Sequence, residues 1–133
     1  MRKAAQKKIQ TLSGRHDAGA DLQAHPRALQ AKLGGTNYRS VAALAKGIAD
    51  ENRLRILLSL AGQKKSVTNI VEEVGLSQPL VSHHLKELKR CLLVTVERSG
   101  PFIYYTLADP RVLDVVEILD ALAADLVAAR KLI

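Results

Sequence analysis

The stretch LSQPLVSHHLKELKRCLLV, Leu76 to Val94, has the spacing of an amphipathic helix with a polar outer face. Ser77 suits the N-cap, Pro79 fits the first turn, and Val81, Leu85 and Leu88 recur at helical intervals. At about 100° per residue from Val81, Pro79, Ser82, His83, Lys86 and Arg90 fall on the opposite half, with Gln78 and Lys89 on its border. Such a face can hold a metal, do chemistry or read DNA. The adjacent pair His83 and His84 suits a metal poorly, because histidines that share an ion on a helix stand four residues apart. His84 falls at the margin of the buried side and reads as a packing or hydrogen-bonding residue. The set does suit duplex DNA. Glutamine pairs with adenine, serine and histidine reach base edges, and Lys86, Lys89 and Arg90 suit phosphates.

The flanks give that helix a setting. Upstream, SVTNIVEEVG predicts a short helix capped by Ser66 and stopped by Gly75, so that two helices meet at the tight turn Gly75-Leu76. Downstream the period changes to alternation. Residues 93–98 and 102–107 predict a β-hairpin around Ser99-Gly100-Pro101 that holds Phe102, Tyr104 and Tyr105, with both tyrosines bracing the hairpin. Arg98, the cation nearest its tip, is the candidate for a minor-groove or phosphate contact.

Two more helices precede this unit. YRSVAALAKGIA puts Val41, Leu44, Ala45 and Ile48 on one face. Asp50 reads as the N-cap of ENRLRILLSLAG, whose buried side is expected to be Leu54, Leu57, Leu58 and Ala61. The last element begins at Asp109-Pro110 and carries a broad apolar stripe of Val112, Val115, Val116, Leu119, Leu122, Leu126 and Val127. A helix of about 24 residues would run near 36 Å, more than a small domain covers alone, so a partner subunit is expected against the stripe. Asp114, Glu117, Asp120 and Asp125 mark its wet edge.

The 133 residues suit one domain with a core. Aromatics are only 3%, so that core is aliphatic and favours helices. The net charge of +7 suits a polyanionic partner, double-stranded DNA first. Residues 1–35 carry seven Lys or Arg against two Asp, an excess of five, and read as a basic N-terminal arm, partly helical or flexible. Residues 36–133 read as the DNA-binding and dimerisation domain. The chain lacks an apolar stretch of membrane-spanning length and has one cysteine, which fits a reducing, cytoplasmic setting with no membrane partner.

Helix, helix, helix-turn-helix, hairpin, helix is the order of a winged helix-turn-helix: mainly α, with a small β-hairpin wing and long terminal helices for dimerisation. IADENRLRILLSLAG, LSQPLVSHHLKEL and the wing ending in YYTL resemble the ArsR/SmtB family of small dimeric regulators, over about residues 38–130. The resemblance implies a homodimeric repressor on an imperfect palindrome, released by a metal, an oxidant or another small effector. One departure lies in the hairpin tip, where many relatives place a basic residue and this chain has Ser99-Gly100-Pro101.

The family's usual metal sites are incomplete here. Lys65-Ser66-Val67-Thr68-Asn69 holds no thiol where one site uses cysteines. At the other, Asp109 matches a ligand, but Arg111 and Leu122 stand where histidines are expected and Asp125 stands alone. No metal or cofactor is therefore expected, and the effector is unassigned. Alternative metal candidates are His16, Asp17, Asp21 and His25, of which the last three are spaced four residues apart in the arm. Cys91, at the end of the reading helix, is a secondary candidate for a redox residue, and a small hydrophobe filling the helix end is the preferred reading. An enzyme is not expected, since no nucleophile-base-acid set, glycine-rich phosphate loop or HExxH motif occurs. Two other readings remain: a dimeric interaction module that has lost DNA binding, and a metal sensor using the arm.

Overall fold

A computed structural model describes residues 24–131. The chain divides into two compact units, Met1–Asn37 and Tyr38–Ile133. In the first, the described element is helix α1, Ala24–Leu33. The second carries helices α2 (Tyr38–Ile48), α3 (Glu51–Ser59), α4 (Val67–Val74), α5 (Gln78–Arg90) and α6 (Arg111–Lys131), with strands β1 (Lys65–Ser66), β2 (Val94–Ser99) and β3 (Phe102–Leu107).

Local chemistry sets most of these boundaries. Asp50 caps α3 by accepting a hydrogen bond from the Arg53 amide at 3.0 Å, and that bond holds its carboxyl below the usual aspartate range. Ser66 and Ser77 cap α4 and α5 in the same way, through Asn69 and Leu80. Gly75 ends α4 in the left-handed region, φ 70, and its N–H closes on the Val71 carbonyl.

α5 ends in a Schellman arrangement. The Leu93 N–H reaches the Leu88 carbonyl at 2.9 Å, and the Leu92 N–H reaches Lys89 at 3.1 Å. Leu92 occupies the left-handed position of that motif, φ 63, where glycine is the usual residue.

The sheet has the order β1-β3-β2, antiparallel throughout. β2 and β3 run from Val94 opposite Leu107 to Ser99 opposite Phe102, and β3 also pairs with Lys65 and Ser66. β1 leads directly into α4, so the sheet joins the first helix of the helix-turn-helix to the wing. Two residues, Lys-Ser, give no alternating pattern, and the sequence reading found only the hairpin. It also set the first strand at 93–98, one residue early; Leu93 belongs to the buried C-terminal cap of α5 instead.

The core lies among α3, α4, α5 and the base of the hairpin: Ile56, Leu57, Leu60, Ile70, Val81, Leu85, Leu88, Leu93 and Val94. This corrects the expected buried side of α3. Leu57 is buried, but Ile56 and Leu60 accompany it, while Leu58 is 56% exposed, Ala61 is exposed and Leu54 is half-buried. Leu54, Ile56, Leu57, Leu58 and Leu60 allow more than one apolar face. Packing against α4 and α5 selects among them.

α2 is fastened to α3 by Arg53. Its Nε donates to the Gly47 carbonyl at 2.7 Å and its Nη2 to the Lys46 carbonyl at 3.0 Å, two carbonyls in the last turn of α2. Gly47 is buried against the end of α5: a Cβ there would stand 2.5 Å from Leu93 Cδ1 and 2.8 Å from Cys91 Cβ.

Candidate nucleic-acid interface

α5 presents the polar face its sequence predicts. Gln78, Pro79, His83, Lys86, Lys89 and Arg90 are exposed, whereas Val81, His84, Leu85 and Leu88 are buried. Ser82 is half-buried, so its hydroxyl stands at the rim of the face rather than at its centre. Lys86 and Lys89 have no carboxylate partner among the described residues, and Arg90 pairs with Glu87 at 3.5 Å. Their charge is thus free for phosphates, or in Arg90's case only loosely held. α4 precedes this helix across a three-residue link from Gly75 to Ser77, the tight geometry of a helix-turn-helix.

The two histidines diverge. Their ring centroids lie 5.7 Å apart with planes tilted by 56°, His83 outside and His84 inside. Neither ring nitrogen of His84 has a hydrogen-bond partner among the described residues, so of the two roles expected for it, packing is the one seen.

Arg98 is exposed on β2 with no carboxylate partner among the described residues. It stands opposite Ile103. The tyrosines separate: Tyr105 packs on the core, while the ring of Tyr104 lies under the Lys64 ammonium at 5.1 Å. Lys64 also pairs with Glu97 at 3.3 Å. Lys64 was missed because a lysine in a loop gives no sequence signal; only the sheet brings it to the wing. Leu80, partly exposed on α5, was passed over as well, its apolar type suggesting burial.

On α6, Val115, Leu119, Leu122 and Leu126 are exposed in the single chain, together with Ile118 and Val127, and Val116 is half-buried. Val112 differs from the rest of the stripe, because it packs partly buried against the chain's own core. α6 holds 21 residues and begins at Arg111, one residue after Pro110. Asp109 caps it with a carboxylate engaged by Arg111: Oδ1 accepts from the backbone amide at 2.8 Å and from Nε at 3.1 Å, and Oδ2 accepts from Nη2 at 3.0 Å. The guanidinium beside it holds that carboxyl below its ordinary value. A permanent cation therefore sits on the carboxylate that most resembles a family metal ligand.

Among the described residues, no group of three or more His, Cys, Asp or Glu side chains is placed to hold a metal ion. His16, Asp17 and Asp21 lie outside the described residues, as does the side chain of His25. Cys91 is half-buried against Gly47. No described helix is long and apolar enough to cross a membrane.

A capped helix with a cationic outer face, set behind a tight turn and followed by a three-stranded wing, defines a winged helix-turn-helix DNA-binding regulator. The description "Bacterial regulatory protein, arsR family" matches residues 50–96. A probable mercury resistance operon repressor of Streptomyces lividans is 37% identical over 94 residues, covering 71% of this chain and 75% of that one. Among solved structures, HlyU from Vibrio cholerae matches with a TM-score of 0.58 and 33% identity, over 65% of this chain and 95% of that one. The homodimeric winged helix-turn-helix DNA-binding domain of a Mycobacterium bovis protein matches with a TM-score of 0.62 and 27% identity, over 71% of this chain and 88% of that one. The chain belongs to the ArsR family of transcriptional regulators.

Proposed function

We propose that the protein is a homodimeric cytoplasmic repressor whose two α5 helices enter successive major grooves of a palindromic operator, about one helical turn apart. The exposed, unpaired cations of α5 carry this reading. Gln78, Ser82 and His83 read base edges, with Pro79 fixing the start of the helix, and Lys86, Lys89, Arg90 and Arg98 hold phosphates. The unburied apolar residues of α6, from Val115 to Leu126, supply the dimer contact with Val112 at its inner edge, and a homodimeric structural relative supports that pairing. The basic arm of residues 1–35 adds sequence-independent affinity, and residues 36–133 do the reading and the pairing.

The releasing effector acts without the family's usual metal sites. The Asp109 carboxylate engaged by Arg111 supports this, since a metal would have to displace a guanidinium that donates two hydrogen bonds to it. The relative described as a mercury resistance repressor makes mercuric ion the first metal to test as a releasing signal.

Fluorescence anisotropy on the DNA upstream of the protein's own gene, against a scrambled duplex at several salt concentrations, tests the reading. Selective binding with a steep salt slope is expected. Lys86→Ala should weaken both duplexes alike and flatten the slope, whereas Gln78→Ala should narrow the gap between them. Lys86→Ala with unchanged affinity and slope would contradict the assignment of that face. No binding to any duplex at low salt would favour an interaction module that has kept only the fold.

A further inference from the structure

The wing ends in a tip that the function proposed above leaves unused. Ser99, Gly100, Pro101, Phe102 and Ile103 carry no ionisable side chain. Ser99 and Phe102 form the closing pair of the hairpin, with Gly100 in the left-handed region at φ 61 to make the turn. Phe102 is 57% exposed, the one phenylalanine of the chain, at the end of the element that leaves the reading helix. An aromatic ring exposed at the closing pair of the hairpin, one pair beyond Arg98, suits a partner that accepts both an apolar ring and a cation.

We propose that Phe102 is an apolar wedge that the wing carries into the DNA minor groove next to the α5 site, where it opens a base step and bends the duplex. This rests on the reading of α5 as the major-groove element. Reach supports it. β2 holds six residues, roughly 20 Å of strand, and it starts after a three-residue link from the end of α5. Neighbouring major and minor grooves are about half a turn apart, roughly 17 Å.

Shape supports it too. The Gly100-Pro101 turn adds little bulk, so the Phe102 ring is the largest group at the tip to enter a groove only about 6 Å wide.

The surroundings prepare the ring for that role. Tyr104 lies on the same sheet face with its ring centroid 6.3 Å away, restricting where the Phe102 ring can turn. Glu97, the carboxylate on that face, is paired with Lys64, so the wing presents little unopposed negative charge to the phosphates. Arg98 stands one pair back from the tip, opposite Ile103, as a cation for the flanking backbone. Apolar wedges of this kind unstack base steps most readily at flexible pyrimidine–purine steps. The operator is therefore expected to favour TA or CA/TG steps at positions no polar side chain reads.

The test compares full-length wild type, Phe102→Ala and Phe102→Leu on the same operator duplex, with end-labelled fluorophores reporting the bend and 2-aminopurine at the flanking steps reporting unstacking. Circular dichroism of each variant checks the fold, which an exposed side chain should not affect. Wild type is expected to bend the duplex and brighten the 2-aminopurine. Phe102→Ala should lose both signals and roughly tenfold in affinity with an unchanged salt slope, and Phe102→Leu should keep most of the bend. A Phe102→Ala protein that binds within twofold of wild type and bends DNA equally would overturn the wedge while leaving the major-groove reading intact. A change in oligomeric state on Phe102→Ala would also overturn it, by assigning the ring to another copy of the chain. Absence of selective binding by wild type would overturn both.

Discussion

Leu92 is the one non-glycine residue with positive φ among those described, and its side chain is 75% exposed. A leucine in the left-handed region costs about 1–2 kcal/mol, which glycine avoids. Glycine's greater freedom in the unfolded chain takes back about 0.4–1 kcal/mol. Leu92→Gly should therefore raise stability by up to about 1.6 kcal/mol in urea unfolding, and a loss would mean that the exposed side chain packs on something. His84 presents the opposite case, a buried polar ring with both nitrogens unpartnered. Its neutral form must bury one N–H, at about 1–3 kcal/mol when unsatisfied. His84→Leu is expected to leave stability unchanged or slightly raised. A loss of more than about 1 kcal/mol would show that the imidazole makes a bond the protein needs. Neither strain nor satisfaction is visible in a sequence, because both depend on which neighbours arrive in space.

Elements were legible where their signals are local. α5 declares itself through Ser77, Pro79 and a long period, and α4 through Ser66 and Gly75; caps and left-handed stops involve residues within one turn. The face of α3 was not legible in full, since its apolar residues crowd nearly all sides and only contact with α4 and α5 selects Ile56 and Leu60. β1 escaped for a different reason: a two-residue strand has no period, and it exists because β3 offers an unpaired edge. The outer residues of α5 followed from angular spacing alone, with Ser82 the exception at the rim. The close fit at Gly47 also lay beyond the sequence. Adding a methyl there should cost about 1–3 kcal/mol through overpacking against Cys91 and Leu93. Gly47→Ala should therefore lower the urea midpoint, and an unchanged midpoint would mean that α2 can shift freely on the end of α5.

At the scale of the whole molecule, exposed apolar residues recur along α2 and α6, two of the helices outside the helix-turn-helix. Val41 and Leu44 of α2 and six residues of α6 face water in the single chain. α2 and α6 both pack on α3, and α2 also meets the end of α5, so a partner bound to them would be coupled to the helix-turn-helix. A solution mass near twice 14.5 kDa is expected. Leu119→Glu should yield monomers by analytical ultracentrifugation and lose most operator affinity, since each half-site would be held by one α5 alone. A Leu119→Glu protein that stays dimeric would move the interface off α6.

If α5 reads DNA as one of a symmetric pair, selection of binding sites from a pool of random duplexes should recover a two-fold symmetric motif. Its half-sites should be centred about 10–10.5 base pairs apart or a multiple of that. With Gln78→Ala, preference should relax at one position in each half-site while the rest of the motif survives. An enriched motif without symmetry, or one that Gln78→Ala leaves unchanged at every position, would contradict that reading of α5.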